Sequence, residues 1–84
     1  MATQNPVITI IADNSASSPL EAEHGFSCLI EFEGMKPLLF DTGRGVLFHN
    51  AAELGKNLTD VSTLVLSHGH YDHTGGIPCL LEAV

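Results

Sequence analysis

The segment Leu66-Ser67-His68-Gly69-His70-Tyr71-Asp72-His73-Thr74-Gly75-Gly76 places three of the chain's 5 histidines and an aspartate between positions 68 and 73. Imidazole nitrogens with a carboxylate oxygen are the donor set of zinc, iron and manganese centres in hydrolytic and oxidative sites. His68 and His70 are two apart, so on extended backbone both project to one side. Gly69 lets the chain turn tightly between them. Asp72 and His73 fall on the next turn and converge from a second direction. His68, His70, Asp72 and His73 are therefore the candidate metal ligands. The competing reading is a histidine-rich surface loop that only scavenges metal. It does not account for the apolar strand-like run before the segment or the Gly-Gly turn and helical pattern after it.

The elements that deliver this segment follow from apolar periodicity. Val7-Ile8-Thr9-Ile10-Ile11 is a dense β-branched run between Pro6 and Asp13-Asn14, suited to a buried strand. Residues 13–25 read as a loop longer than ordinary connections, hence functional or mobile. Phe26 to Phe32 and Lys36 to Phe40 read as two strands joined at Glu33-Gly34-Met35, an antiparallel hairpin. The second of them ends in the polar break Asp41-Thr42-Gly43. Gly45 to Leu54 is helical, with Leu47, Ala51, Leu54 and Leu58 on one face and Gly55 as the stop. Ser62 to Leu66 is the strand that leads into the histidines. Gly75-Gly76 opens a second helix, with Pro78 in its first turn and Ile77, Leu80, Leu81 and Val84 along one face. That stripe is still running at the last residue, which reads as a chain cut inside an element.

Charge and composition narrow the chemistry further. Three basic and 10 acidic residues give a net charge of -7 over 84 residues, enough for one domain. Such a chain is repelled by phosphate backbones and anionic membranes, which excludes nucleic-acid binding through a basic patch. No apolar run is long enough to span a bilayer, and Met1-Ala2-Thr3-Gln4 lacks a cationic leader, so the expected location is cytoplasmic. Cys28 and Cys79 have no CxxC neighbour and are expected to be reduced and buried. His24, in the long loop, is a candidate substrate contact near the metal site, against the plainer reading of a solvated histidine. His49 reads as structural or surface, and Tyr71 as a packing residue or a donor to a nearby carbonyl.

His68-Gly69-His70-Tyr71-Asp72-His73 resembles the signature motif of the metallo-β-lactamase superfamily. Phe40-Asp41-Thr42-Gly43 resembles the aspartate-containing strand end that precedes it there, and the order of elements matches over the whole chain. Glu23-His24-Gly25-Phe26-Ser27, together with residues 66–76, further resembles a subgroup of pterin-related synthases of methanopterin biosynthesis and uncharacterised metal-dependent hydrolases. The resemblance implies an α/β fold in which residues 1–84 form the N-terminal half of an αββα sandwich, a mostly antiparallel sheet with helices on one face. It implies a two-metal site, with His68 and His70 on the first ion and Asp72 and His73 on the second. Zinc is the first choice of metal, with iron or manganese as alternatives.

By the same resemblance Asp72 is the catalytic residue, accepting a hydrogen bond from a metal-activated water, and Asp41 stands behind the ligands and orients histidines. A plain turn aspartate is the alternative for Asp41. The implied reaction is hydrolysis of a small-molecule substrate at an ester, phosphoester or lactone-like centre. The family's second half supplies further ligands, while only Cys79 and Glu82 offer donors here after His73, so the site within this chain is expected to be incomplete. The alternative function is a non-catalytic metal-binding or interaction module that docks onto a complementary chain. Ile8, Ile10, Cys28, Ile30, Leu39 and Val65, or their strand alternates, are expected to form an apolar face needing cover by a homo-oligomer or a complementary C-terminal half.

Overall fold

The computed structural model describes residues 5–84. Its β-branched and leucine-rich runs form one four-stranded sheet in chain order: β1 (Val7–Ala12), β2 (Ser27–Glu31), β3 (Leu38–Phe40) and β4 (Thr63–Val65). β1 with β2 and β2 with β3 are antiparallel, while β3 and β4 run parallel. A parallel neighbour needs a crossover. Here it is made by α1 (Leu47–Glu53) and a 3-10 turn at Leu58–Asp60. After β4 come a single helical turn, α2 (Tyr71–Thr74), and α3 (Ile77–Ala83). The α/β class and the mostly antiparallel sheet agree with the sequence. No helix among the described residues is long and apolar enough to cross a membrane.

Register sorts the side chains between two faces, because alternate residues of a strand point to opposite sides. Leu29 pairs with Leu39, which pairs with Leu64, and this row lies under the helices. Ile11, Leu29 and Leu39 pack there against Leu47, Ala51, Leu58 and Leu80. The other face carries Ile8 opposite Ile30 and Ile10 opposite Cys28, with Phe40 and Val65 continuing the second row. Ile8 is 61% and Ile10 54% exposed, so this face is open. Leu39 departs from its expected place: its parity puts it on the helix-covered side. Cys28 lies on the open side but is buried, and burial first and then the Asp41 charge push its thiol pKa up.

Two further expectations are corrected. Of the α3 stripe only Leu80 is buried, and Leu81 is 68% exposed, because the helix meets the core along a single row. Cys79, one residue before Leu80, is turned to solvent and is free, not buried. α2 had no apolar signal to announce it, since none of its four residues is buried.

The long loop is tied down by Asn50 on α1. Its buried amide donates to the carbonyls of Ile11 and Glu21, each at 2.8 Å, and its Oδ1 accepts from the Glu21 N–H at 2.9 Å. Asn50→Ala strands all three partners and is expected to lower stability by about 2–3 kcal/mol, read as an earlier urea midpoint. An unchanged midpoint would show that the loop holds without it. Glu23 makes the second tie. Its N–H donates to Asp13 O at 3.0 Å, and its carboxylate accepts the backbone N–H groups of Arg44, Gly45 and Val46 just ahead of α1. Those amides precede the first helical turn and have no partner within the helix. Gly43, at φ 66°, leaves the room this carboxylate occupies: a Cβ there would fall 2.5 Å from Glu23 Oε2.

Candidate metal centre

Asp41 follows β3 directly, fully buried at φ 57°. Aspartate tolerates that left-handed conformation better than most residues. Its backbone is pinned on both sides: the N–H donates to Val65 O at 2.8 Å, and the Ser27 hydroxyl donates to its carbonyl at 2.7 Å. The reversal carries the carboxylate toward the segment after β4. There Oδ1 accepts from the Ser67 N–H at 2.8 Å and Oδ2 from the Ser67 hydroxyl at 2.6 Å. Nδ1 of His73 stands 2.6 Å from the same Oδ2. Burial pushes the Asp41 pKa up, but the Ser67 hydroxyl, the Ser67 N–H and His73 together outweigh it and hold the carboxyl below its ordinary value.

An ionised Asp41 only accepts, so His73 keeps its proton on Nδ1 and presents the Nε2 lone pair. The arrangement repeats through serine. With its own proton given to Asp41, Ser67 Oγ accepts from Nδ1 of His68, 2.9 Å away, which frees Nε2 of that ring as well. One buried carboxylate thus sets two histidines in the metal-binding tautomer.

The backbone of the motif is stitched to the same stretch. Thr42 N–H donates to His73 O at 2.7 Å, and Gly76 N–H donates to Thr42 Oγ1 at 2.9 Å. A Cβ on Gly76 would lie 2.8 Å from Thr42 O, so glycine is what permits this approach. His70 is extended at φ −68° and ψ 145°, and its carbonyl receives the His73 N–H at 3.0 Å, which starts α2. That turn brings Asp72 and His73 round to His68.

Among the described residues, ligand atoms of His68, Asp72 and His73 lie within 4.8 Å of one another. His73 Nε2 is 3.7 Å from Asp72 Oδ2. Two ligands on one tetrahedral zinc stand about 3.4 Å apart, so the donor set and its spacing fit a divalent ion. The rings of His68 and His70 are 4.7 Å apart between centroids, which places His70 at the rim of the group but outside the three that converge. His68 is exposed while Asp72 and His73 are half-buried, so the cluster has a solvent side.

Of the other candidates, His24 arrives beside the cluster, with Nε2 3.4 Å from Asp72 Oδ2. His49 stands on exposed helix surface with Nε2 3.1 Å from Pro19 O, a structural contact. Tyr71 packs against Gly75 and under the Arg44 guanidinium, 5.7 Å from the ring centroid. Ser67, Thr42 and Glu23 emerge only here as positioning groups. Their one trace in the sequence is a small or polar residue beside each functional segment.

A four-stranded sheet thus carries a histidine-aspartate cluster after β4, backed by a buried aspartate that follows β3. Residues 20–84 match the metallo-beta-lactamase superfamily, and the chain belongs to it. An uncharacterised protein of Methanocaldococcus jannaschii is 39% identical over 77 residues, covering 90% of this chain and 30% of that protein. The 7,8-dihydropterin-6-methyl-4-(beta-D-ribofuranosyl)-aminobenzene-5'-phosphate synthase of the same organism is 42% identical over 74 residues, 81% of this chain and 25% of the synthase. The crystal structure of a metal-dependent hydrolase of the beta-lactamase superfamily superposes with a TM-score of 0.66 at 39% identity, over 83% of this chain and 25% of that one. The chain therefore spans between 25% and 30% of the length of these relatives. Membership implies a divalent-metal centre.

Proposed function

We propose that this chain carries a metal-binding N-terminal portion of a hydrolase acting on an ester, phosphoester or lactone-like centre, with zinc as the metal and His68, His70, Asp72 and His73 as its ligands. The observation that carries this reading is the pair His73–Asp72, with Nε2 freed by Asp41 and facing a carboxylate oxygen at 3.7 Å. The hydrolase among the solved relatives supports the reaction class. A divalent ion held by these residues would lower the pKa of a bound water and polarise a substrate oxygen. Asp41 holds the His73 ring directly and the His68 ring through Ser67, which leaves Nε2 of each ring free to ligate. Asp72 carries a second carboxylate oxygen with which to orient the attacking water. The open solvent side admits a small-molecule substrate. The open sheet face is read as the seat of a second layer, supplied by a complementary C-terminal half or another copy of the chain.

The test combines the chain, zinc and a polypeptide bearing the rest of a relative, assayed on chromogenic phosphodiester and ester substrates. Turnover is expected from the mixture and not from the chain alone, and Asp72→Asn should reduce it about 10²–10⁴-fold. Turnover unaffected by Asp72→Asn refutes the role given to Asp72, and full turnover by the chain alone refutes the incomplete site.

A further inference from the structure

His24 is 77% exposed by side chain, so it contributes little packing, yet both neighbours in the chain are anchored. Glu23 is held by its own N–H on Asp13 O and by its carboxylate on the amides of Gly45 and Val46, at 2.9 and 3.3 Å. Gly25 is buried against α2: a Cβ there would lie 2.5 Å from Asp72 O. The next residue, Phe26, donates its N–H to that same carbonyl at 3.2 Å. Asp72 is thus gripped through its backbone by the residues that follow His24, and its side chain is met by His24 itself, at 3.4 Å from Oδ2. Arg44, also nearby, is turned over Tyr71 and forms no ion pair among the described residues. His24 and His73 are accordingly the two rings that face the Asp72 carboxylate.

We propose that His24 is a positioning residue for Asp72: the Glu23 clamp and Gly25 hold its Nε2 3.4 Å from Oδ2, within reach to donate to that oxygen when the carboxylate meets a metal ion and so fix its orientation. This rests on the metal-centre reading above. The chemistry asked of His24 is that of a hydrogen-bond donor to a ligating carboxylate, which commonly tunes metal affinity about 10–100-fold. His24 stands outside the three converging donors, and the proposal gives it the part of a donor to one of them and not of a ligand. The glutamine amide reaches a similar distance from the backbone and keeps an N–H donor, so His24→Gln should replace it where His24→Ala does not.

Zinc affinity of the 84-residue chain is measured by competition with a chromophoric chelator, alongside the cobalt(II) absorption spectrum and the melting temperature of the metal-free chain. His24→Ala is expected to bind zinc at least about tenfold more weakly, and His24→Gln within about threefold of the parent. Both should keep the parent cobalt bands and metal-free melting temperature. Equal affinity of parent and His24→Ala overturns the proposal while leaving the metal centre standing. Cobalt bands altered in His24→Gln overturn it in favour of a ligand, and a lowered metal-free melting temperature in favour of a purely structural role. No zinc uptake by the parent chain overturns the metal-centre reading and this inference with it.

Discussion

Asp41→Ala is expected to cost about 3–4 kcal/mol of stability and to weaken zinc binding at least about tenfold. The substitution strands the Ser67 N–H and hydroxyl and the Nδ1–H of His73, three donors that converge on one buried carboxylate. In a small domain whose whole stability is about 5–10 kcal/mol, that is a large share. Alanine at φ 57° adds strain that aspartate tolerates better. Asp41→Asn keeps the shape and the turn but presents an amide donor where another donor stands, so it should lose less stability and nearly as much affinity.

The same carboxylate sets an acid limit. Its pKa is lower in the folded chain than its ordinary value of 3.8, so its ionisation stabilises the fold. That contribution is complete above the ordinary value and disappears as pH falls through the folded one. Urea unfolding of the metal-free chain should therefore show parent and Asp41→Asn converging in strongly acidic solution. A stability gap that stays constant from neutral pH down to about pH 2.5 would show that the charge of Asp41 contributes nothing.

Loss of a converging ligand should have a still larger effect on metal. His73→Ala and His68→Ala are expected to weaken zinc uptake by about 100-fold or more in equilibrium dialysis. Each removes one of the three side chains whose donor atoms lie within 4.8 Å of one another. His73 also links Asp41 to the cluster, so its variant should lose stability where the exposed His68 should not. His70→Ala should fall between these variants and the parent, since its ring stands beside His68 but outside the converging group. Parent and His73→Ala taking up zinc equally would remove the cluster from consideration as a metal centre.

How much of this was legible in the chain itself depends on range. The donor types and their spacing in His68-Gly69-His70-Tyr71-Asp72-His73 are local, and so are the β-branched run of β1 and the 3.6-residue periodicity that places Leu47 and Ala51 in the core; Leu58, read with them on one helix face, reaches it from the 3-10 turn beyond Gly55. The sequence by itself therefore determined the class of chemistry, the α/β layer and the helix-covered face. It left undetermined which donors meet. Asp41 reaches Ser67 across 26 residues and His73 across 32, and Asn50 reaches Ile11 across 39. Apolar periodicity records which side of an element avoids water, but a buried polar side chain is specified by partners that only chain closure brings near. The parity of a three-residue strand is likewise decided by pairing, which is how Leu39 came to lie under the helices with Leu29 and Leu64. The tertiary structure alone decided that His24 stands against Asp72 and that Ser67 carries the reach of Asp41 to His68. Both depend on left-handed or glycine backbone at residues 41, 43 and 25, where the space for close approach exists only once the loop, the hairpin and α2 have come together.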